Sequence, residues 1–288
     1  MDFSVITIFL MGISFSFLLF LLGSGLSLTY GVMKVLNLAH GAYYLVGSFV
    51  GLSVYEGTGN FFLAILAGAA ITGLIGIGME QGFIRHLPGQ LLDQVLLTVG
   101  FLYIFTNIVR WIWGPIPQIV EAPSLVAGSL QIGENSISVY HFVVIFIGIL
   151  IAIGLWFFQQ KTQFGAIIRA GTDNRQMVMG LGINFRLVCM WVFCLGTALA
   201  GIAAVIGLPL LGAYLESGMD ILLYAVIVVI VGGLGSLQGA LLGSFIIGMV
   251  HTFGKVLFPP LAFFMIYLIV VVILLVRPSG LLGEREPG

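Results

Sequence analysis

Charged residues divide this chain into long apolar blocks. The uncharged intervals run from 3 to 33, 35 to 55, 57 to 79, 94 to 109, 135 to 160, 187 to 215, 221 to 254 and 256 to 276. All but 94 to 109 can hold the helix of about 20 residues that crosses a hydrocarbon core. That interval extends through Arg110, Trp111 and Trp113, residue types that anchor at a membrane interface. The interval from 221 to 254 is too long for one span and breaks at Gly232-Gly-Leu-Gly-Ser-Leu-Gln-Gly239, where glycine permits a tight turn or a broken helix. The pattern predicts an all-α, polytopic transmembrane bundle of eight to nine segments, some broken or re-entrant, forming one transmembrane domain over residues 1–288.

The charges between the blocks orient it. The segment 159–186 holds Lys161, Arg169, Arg175 and Arg186 against Asp173, whereas 114–138 and 212–220 hold Glu121, Glu134, Glu216 and Asp220 with no base. Lys and Arg accumulate in cytoplasmic loops, so the first is expected inside and the other two outside. Parity then places 80–93 and the tail after Arg277 inside, and Glu56 to Asn60 outside. If 35–55 is a full crossing the chain starts outside; if 25–55 is a broken or re-entrant unit it starts inside. The first apolar stretch lacks the basic flank and cleavage site of a signal peptide, and is expected to stay in the mature protein.

Composition agrees, with 60% hydrophobic and 7% charged residues and a mean hydropathy of +1.20, too little polar surface for a water-soluble globule. A net charge of −1 without a basic stripe argues against a nucleic-acid partner. Cys189 and Cys194 match neither a redox nor a zinc spacing and read as packing residues. Arg110, His251 and Lys255 fall near predicted span ends and Glu80 at a cytoplasmic end, where interfacial anchoring is the ordinary role. No pair of acids lies deep in an apolar run, which argues against an ion-coupled carrier or proton pump. Gly248 to Gly254-Lys255-Val256 has one residue too many for a phosphate loop and lacks its Ser or Thr. No catalytic set, metal cluster or cofactor motif is visible, so ATP-driven work would need ATP and magnesium on another polypeptide.

Among 40 glycines, Gly47 and Gly51, and Gly239 and Gly243, have the spacing that lets membrane helices approach closely. His40-Gly-Ala followed by Gly47-Ser-Phe-Val recurs as Gln238-Gly-Ala followed by Gly243-Ser-Phe-Ile, a candidate internal repeat.

Two constellations carry candidate chemistry. Asn37, His40 and Gly41 put an amide, an imidazole and an open backbone within an apolar run. Polar groups at membrane depth are tolerated where protein or a water-filled path satisfies them, so these residues either line a solute path or brace a neighbouring helix. The second is the basic, amphipathic stretch from Lys161 to Asn184, which either docks on a soluble subunit or lies on the lipid surface.

Asn37-Leu-Ala-His-Gly41 joined to Gly232-Gly-Leu-Gly-Ser236, with Phe164-Gly165 to Arg169-Ala170, Gly182-Ile183 and Gly196 to Gly201, resembles the permeases of branched-chain amino-acid ABC importers, and within them the first of the two usual permease subunits. The resemblance implies a solute path for branched-chain, hydrophobic amino acids through Asn37, His40, Gly41, Gly232, Gly233, Gly235 and Ser236. It also implies an ATPase-coupling loop at 165–183, with Gly165, Arg169, Asp173, Arg175, Gly182 and Ile183 at the contact. Met177 to Gly180 departs from the family's alanine-rich wording there. The implied partners are a second permease, as heterodimer or homodimer, two cytoplasmic ATPase subunits and an external solute-binding protein. The implied location is a bacterial or archaeal inner membrane. Permeases for urea and short amides share much of the pattern. A secondary transporter or channel for a small neutral solute is the reading from a different class, and an intramembrane enzyme using His40 lacks a second catalytic group.

Overall fold

The computed structural model describes residues 5–132 and 135–283; Glu134, one of the acids in the predicted outer loop, lies outside them. Eleven helices carry the described chain: α1 Val5–Met33, α2 His40–Thr58, α3 Phe61–Gly82, α4 Leu91–Trp113, α5 Tyr140–Lys161, α6 Gln163–Asp173, α7 Arg175–Gly180, α8 Phe185–Leu211, α9 Ser217–Gly232, α10 Leu237–Leu257 and α11 Ala262–Val276. Seven of these, α1, α3, α4, α5, α8, α10 and α11, are long and apolar enough to cross a membrane, some with a short flanking turn. The shorter α9 and the extensively buried α2 complete the bundle. This is the polytopic helical fold that the apolar blocks predict.

The helices start where a side chain can take up free backbone amides. Asn60 accepts from Phe62 and Leu63 at 3.0 and 3.1 Å, and Ser236 accepts from Gly239 at 3.0 Å. Among the described residues the one small sheet, β1 Ser129–Ile132 with β2 Asn135–Ser138 in antiparallel register, lies in the 114–139 connection. Gln118 and Ala213 exchange backbone hydrogen bonds of 2.8 and 2.9 Å, so the two acidic loops meet on one face, opposite α6 and α7. We call it the outer-loop face.

α1 and α8 are the most enclosed spans, and α4, α5 and α11 the most exposed. α1 crosses α8 at Gly25 and Gly196, where a Cβ on either would press on the other's carbonyl oxygen, at 2.5 and 2.7 Å. The glycine spacings noted in the sequence are both packing faces. Gly47 and Gly51 of α2 meet Gly201 and Val205 of α8, and Gly239 and Gly243 of α10 meet Gly232 and Val228 of α9.

The packing has an internal two-fold pattern. α1 lies on α10 as α8 lies on α3, α2 lies on α3 as α9 lies on α10, and α2 lies on α8 as α9 lies on α1. α1 to α4 thus correspond to α8 to α11, but the two sets run through the bundle in opposite senses, the inverted repeat common among transporters. The sequence recurrence at 40 and 238 relates α2 to α10, which are not equivalent in this arrangement. Each repeat has a nonhelical lead into its second helix: Lys34 to Ala39 enters from the α6–α7 face and Gly212 to Glu216 from the outer-loop face.

α1 begins on the outer-loop face, where Met11 and Ser14 share a cavity with Tyr140 and Pro209. The two alternatives for 25–55 therefore combine: the segment crosses, and it is broken. His40 bonds the carbonyl of Leu22, twelve residues before Lys34 and so about 18 Å along α1 at 1.5 Å per residue. Six residues span at most roughly 20 Å, so the break climbs about halfway into a core of about 30 Å.

Two expectations follow. In a background without Cys189 and Cys194, cysteines at the exposed Ser129 and Glu216 should react with an impermeant maleimide in intact cells, and one at Met177 only after the membrane is opened; the reverse pattern would invert the orientation. A Cβ on Gly41 would run into the Gly218 carbonyl. Gly41→Leu should therefore part α2 from α9, lowering the thermal midpoint by the equivalent of about 1–3 kcal/mol or preventing folding. A Gly41→Leu protein of native stability but blocked uptake would place Gly41 against solute instead.

Candidate functional site

The break between α1 and α2 is built from a few residues. Lys34 closes α1, its amide donating to Tyr30 at 2.7 Å, and it takes φ 56°, the left-handed backbone that no other described non-glycine residue adopts. Asn37 then folds the chain back. Its Oδ1 accepts from the Ala39 amide at 3.0 Å and its carbonyl accepts from the His40 amide at 3.1 Å, an Asx-type turn that launches α2. The Leu38 amide donates to Thr98 Oγ1 of α4 at 3.2 Å. An extended segment without neighbours would carry bare amides; here side chains take them up.

His40 Nε2 donates to the Leu22 carbonyl at 3.0 Å. A carbonyl only accepts, so Nε2 carries the proton and Nδ1 is left as an acceptor. That Nδ1 and the Asn37 Nδ2 donor are both shut off from solvent without a hydrogen-bond partner, although the Tyr43 hydroxyl lies near the Asn37 amide while donating to Met79 Sδ at 2.7 Å. Each orphaned group costs about 1–3 kcal/mol. One spare acceptor and one spare donor thus both belong to the deep end of the break. Gly41 has another duty: it admits the backbone of α9 at Gly218.

Gly232 to Ser236 lies elsewhere. Gly233 and Gly235 take φ 108° and 83°, turning α9 into α10 at the α6–α7 face rather than at mid-depth, because the 21 residues of α10 need the full crossing. The turn is clamped by the tail, whose Leu281 and Leu282 amides donate to Val231 and Gly232 at 2.9 Å. Gly235 also packs on Gly31, a Cβ there coming within 3.4 Å. The predicted path residues therefore form two groups, Asn37, His40 and Gly41 at the deep end of the break, and Gly232, Gly233, Gly235 and Ser236 beside its shallow end.

A cavity of about 950 Å³ joins that shallow end to the basic loop, with Lys34, Arg169, Asp173, Gly235 and Ser236 in its wall. A second, of about 500 Å³, is lined by Lys34, Val35, Glu80, Arg85, Arg175 and Arg186. Lys34 separates the two, and Asn37, His40 and Gly41 line neither. The sequence placed Glu80 as an interfacial anchor; it is 2% exposed, with Oε2 unpartnered. No pattern within α3 distinguishes a buried Glu from an anchoring one, because the difference lies in what packs over it.

The basic loop folds as two helices outside the bundle. Thr162 accepts from the Gly165 amide at 3.0 Å, and Gly165 sits so tightly on the end of α5 that a Cβ would strike the Phe158 and Gln159 carbonyls. Asn174 caps α7 through the Met177 amide at 3.0 Å, and Gly182, at φ 81°, ends the turn before Ile183. Ile168 and Val178 are buried in a cluster with Phe185 and Val188 of α8, against which Ile183 packs. The two arginines part company: Arg169 turns inward with Nη1 buried and unpartnered, while the Arg175 guanidinium lies 5.0 Å over the Phe185 ring. What faces outward is Met177, Met179 and Leu181, 68%, 46% and 73% exposed. Of the stretch whose wording departs from the family pattern, Met177 and Met179 are displayed and Val178 is buried.

A family model described as the branched-chain amino acid transport system permease component matches residues 8–275. The chain is 28% identical over 284 residues to the high-affinity branched-chain amino acid transport system permease protein BraD of Pseudomonas aeruginosa, covering 92% of both. It is 32% identical over 248 residues to the probable branched-chain amino acid transport permease protein LivH of Methanocaldococcus jannaschii, covering 82% of this chain and 77% of that protein. Against LivH of Escherichia coli K12 the identity is 27% over 293 residues, with 92% and 91% covered. Among solved structures, PsaBC from Streptococcus pneumoniae in complex with Fab superposes with a TM-score of 0.51 at 14% identity, over 92% of this chain and 89% of that one, a likeness of fold alone. With the family matched across almost every described helix, this multi-pass membrane protein belongs to the branched-chain amino acid transport system permeases.

Proposed function

We propose that the chain is a permease subunit of an ATP-driven importer for branched-chain, hydrophobic amino acids. It works with a second permease, two cytoplasmic ATPase subunits that hold the ATP and magnesium, and an external solute-binding protein. The observation that carries the coupling part of this reading is the α6–α7 platform, a short helical pair outside the bundle that leaves Met177, Met179 and Leu181 uncovered. An apolar, methionine-rich face of this kind, flanked by bases, suits a protein partner. The solute class is supported by the names of the relatives.

Force applied to the platform has two rigid routes inward. Gly165 locks α6 to the end of α5, and Phe185 locks the platform to α8, which packs on α1, α2 and α3. Movement of α8 against α1 acts on the break, since His40 is bonded to α1 at Leu22. In the conformation described, the two cavities on the α6–α7 face stop at Lys34 and Val35, with Asn37 to Gly41 as the plug beyond. Opening the plug would present the His40 acceptor and Asn37 donor to a passing zwitterion.

The platform is tested by Met177→Asp with Leu181→Asp. Burying a large apolar side chain is worth about 1.5–3 kcal/mol, so copurification of the ATPase should weaken tenfold or more, with membrane yield unchanged. Unaltered association and unaltered solute-stimulated hydrolysis would rule this face out. For the break, His40→Ala should lower stability by about 1 kcal/mol through the lost bond to α1, and should also lower leucine uptake per folded complex. Uptake that falls only in proportion to surviving protein would leave His40 a brace. Uptake of urea but not leucine by the wild type would move the solute to the amide class.

A further inference from the structure

The outer-loop face carries a recess that the path described above does not use. It is about 170 Å³, walled by α1, the end of α8, α9, α10 and α11, and well below the roughly 300–1,000 Å³ of drug-sized sites. Its base is apolar and aromatic. Phe15 stacks on His251 with ring centroids 4.4 Å apart, Tyr224 meets the His251 ring edge-on at 5.1 Å, and Tyr224 and Phe15 are themselves edge to face at 6.0 Å. Read as an interfacial anchor in the sequence, His251 is 7% exposed and belongs to this base.

Its mouth is charged, with one group of each sign. Asp220 lies in the first turn of α9, where the helix dipole favours a carboxylate, and Lys255 in the last turn of α10, where it favours an ammonium. Both side chains are exposed and line the same recess, yet no ion pair joins them among the described residues. The Tyr214 hydroxyl donates to Asp220 Oδ2 at 3.2 Å and orients it. Burial and the neighbouring carboxylate push that hydroxyl up to about 12, so it remains a donor at neutral pH. Interfacial anchoring accounts for either charge alone, but not for an unpaired carboxylate and ammonium facing one small aromatic-lined recess.

We infer that this recess is a recognition site for one free zwitterionic amino acid with an apolar side chain, Asp220 receiving the ammonium, Lys255 the carboxylate, and Phe15, Tyr224 and His251 the side chain. The inference rests on the proposed importer and adds a site in this subunit at which solute is selected before the break. A neighbouring cavity of about 420 Å³ shares Phe15, Leu211, His251 and Lys255 and reaches Ser138 and His141 at the outer connection, which supplies an approach from that side. An ethanolamine phospholipid headgroup carries the same two charges, but brings a glycerol and acyl chains that a 170 Å³ recess does not hold.

The test uses the complete membrane complex in nanodiscs, without the external binding protein, and equilibrium binding of radiolabelled leucine. Wild type should bind leucine and reject both leucinamide, which lacks the carboxylate, and 4-methylpentanoate, which lacks the ammonium. Lys255→Met and Asp220→Asn should each weaken leucine binding tenfold or more; the first should lose discrimination against leucinamide and the second against 4-methylpentanoate. Both positions are exposed, and an unchanged melting temperature verifies folding. Wild-type affinity and discrimination in both variants, or no leucine binding by the wild type, overturns the site. So does leucine binding seen in phosphatidylglycerol discs but abolished by phosphatidylethanolamine, since the lipid would then be the occupant. Leucine uptake by the wild-type importer with its binding protein, measured in parallel, reports separately on the parent reading.

Discussion

Backbone that leaves a helix inside a membrane must be enclosed by protein, because lipid offers it no hydrogen bonds. In this bundle the enclosure depends on α1 meeting α8 at Gly25 and Gly196, where neither helix tolerates a side chain. With these two at the centre, α2 and α9 can be short and irregular at their starts. Leu38 reaches Thr98 and His40 reaches Leu22 because α4 and α1 stand beside the break.

The inverted repeat supplies two such starts, one from each face, and they have diverged. The 34–39 lead is held by an amide, a hydroxyl and an imidazole. The 212–216 lead is held by a backbone pair between Gln118 and Ala213, by the Ser217 hydroxyl donating to the Tyr214 carbonyl at 2.6 Å and by the Tyr214 hydroxyl donating to Asp220. Both leads use polar side chains, but the orphaned donor and acceptor belong to the first. A purely architectural break needs neither orphan, as the second lead demonstrates.

Much of this was legible in the sequence. Apolar blocks and their charged boundaries specify helices directly, since length and hydropathy are properties of the segment alone. The turn at 232–239, the two acidic loops and the helical platform were readable for the same reason. Placement across the bundle was not. That Gly232 to Ser236 sits at a face, that Glu80 and His251 are enclosed, that Arg169 turns inward and that Gly41 serves α9 all depend on neighbours distant in the chain. In a membrane alphabet of Leu, Ile, Val, Phe and Gly, many pairings have equal local merit. The repeat was obscured likewise, because the inverted copies share packing rather than wording.

The unequal lengths of the spans have a consequence for the lipid. α1 has 29 residues, whereas α11 with its flanking turn, Pro259–Val276, has 18 and reaches about 27 Å at 1.5 Å per residue, only just the depth of a hydrocarbon core of about 30 Å. α11 is also among the least enclosed helices, so any mismatch there is felt by acyl chains rather than absorbed inside the protein. With no length to spare for tilt, a thicker bilayer has to thin beside α11, or the protein has to cover that flank in an assembly, and either response costs fractions of a kcal/mol per Å. Membrane thickness is thereby coupled to the same flank of the bundle that closes the recess around Asp220 and Lys255.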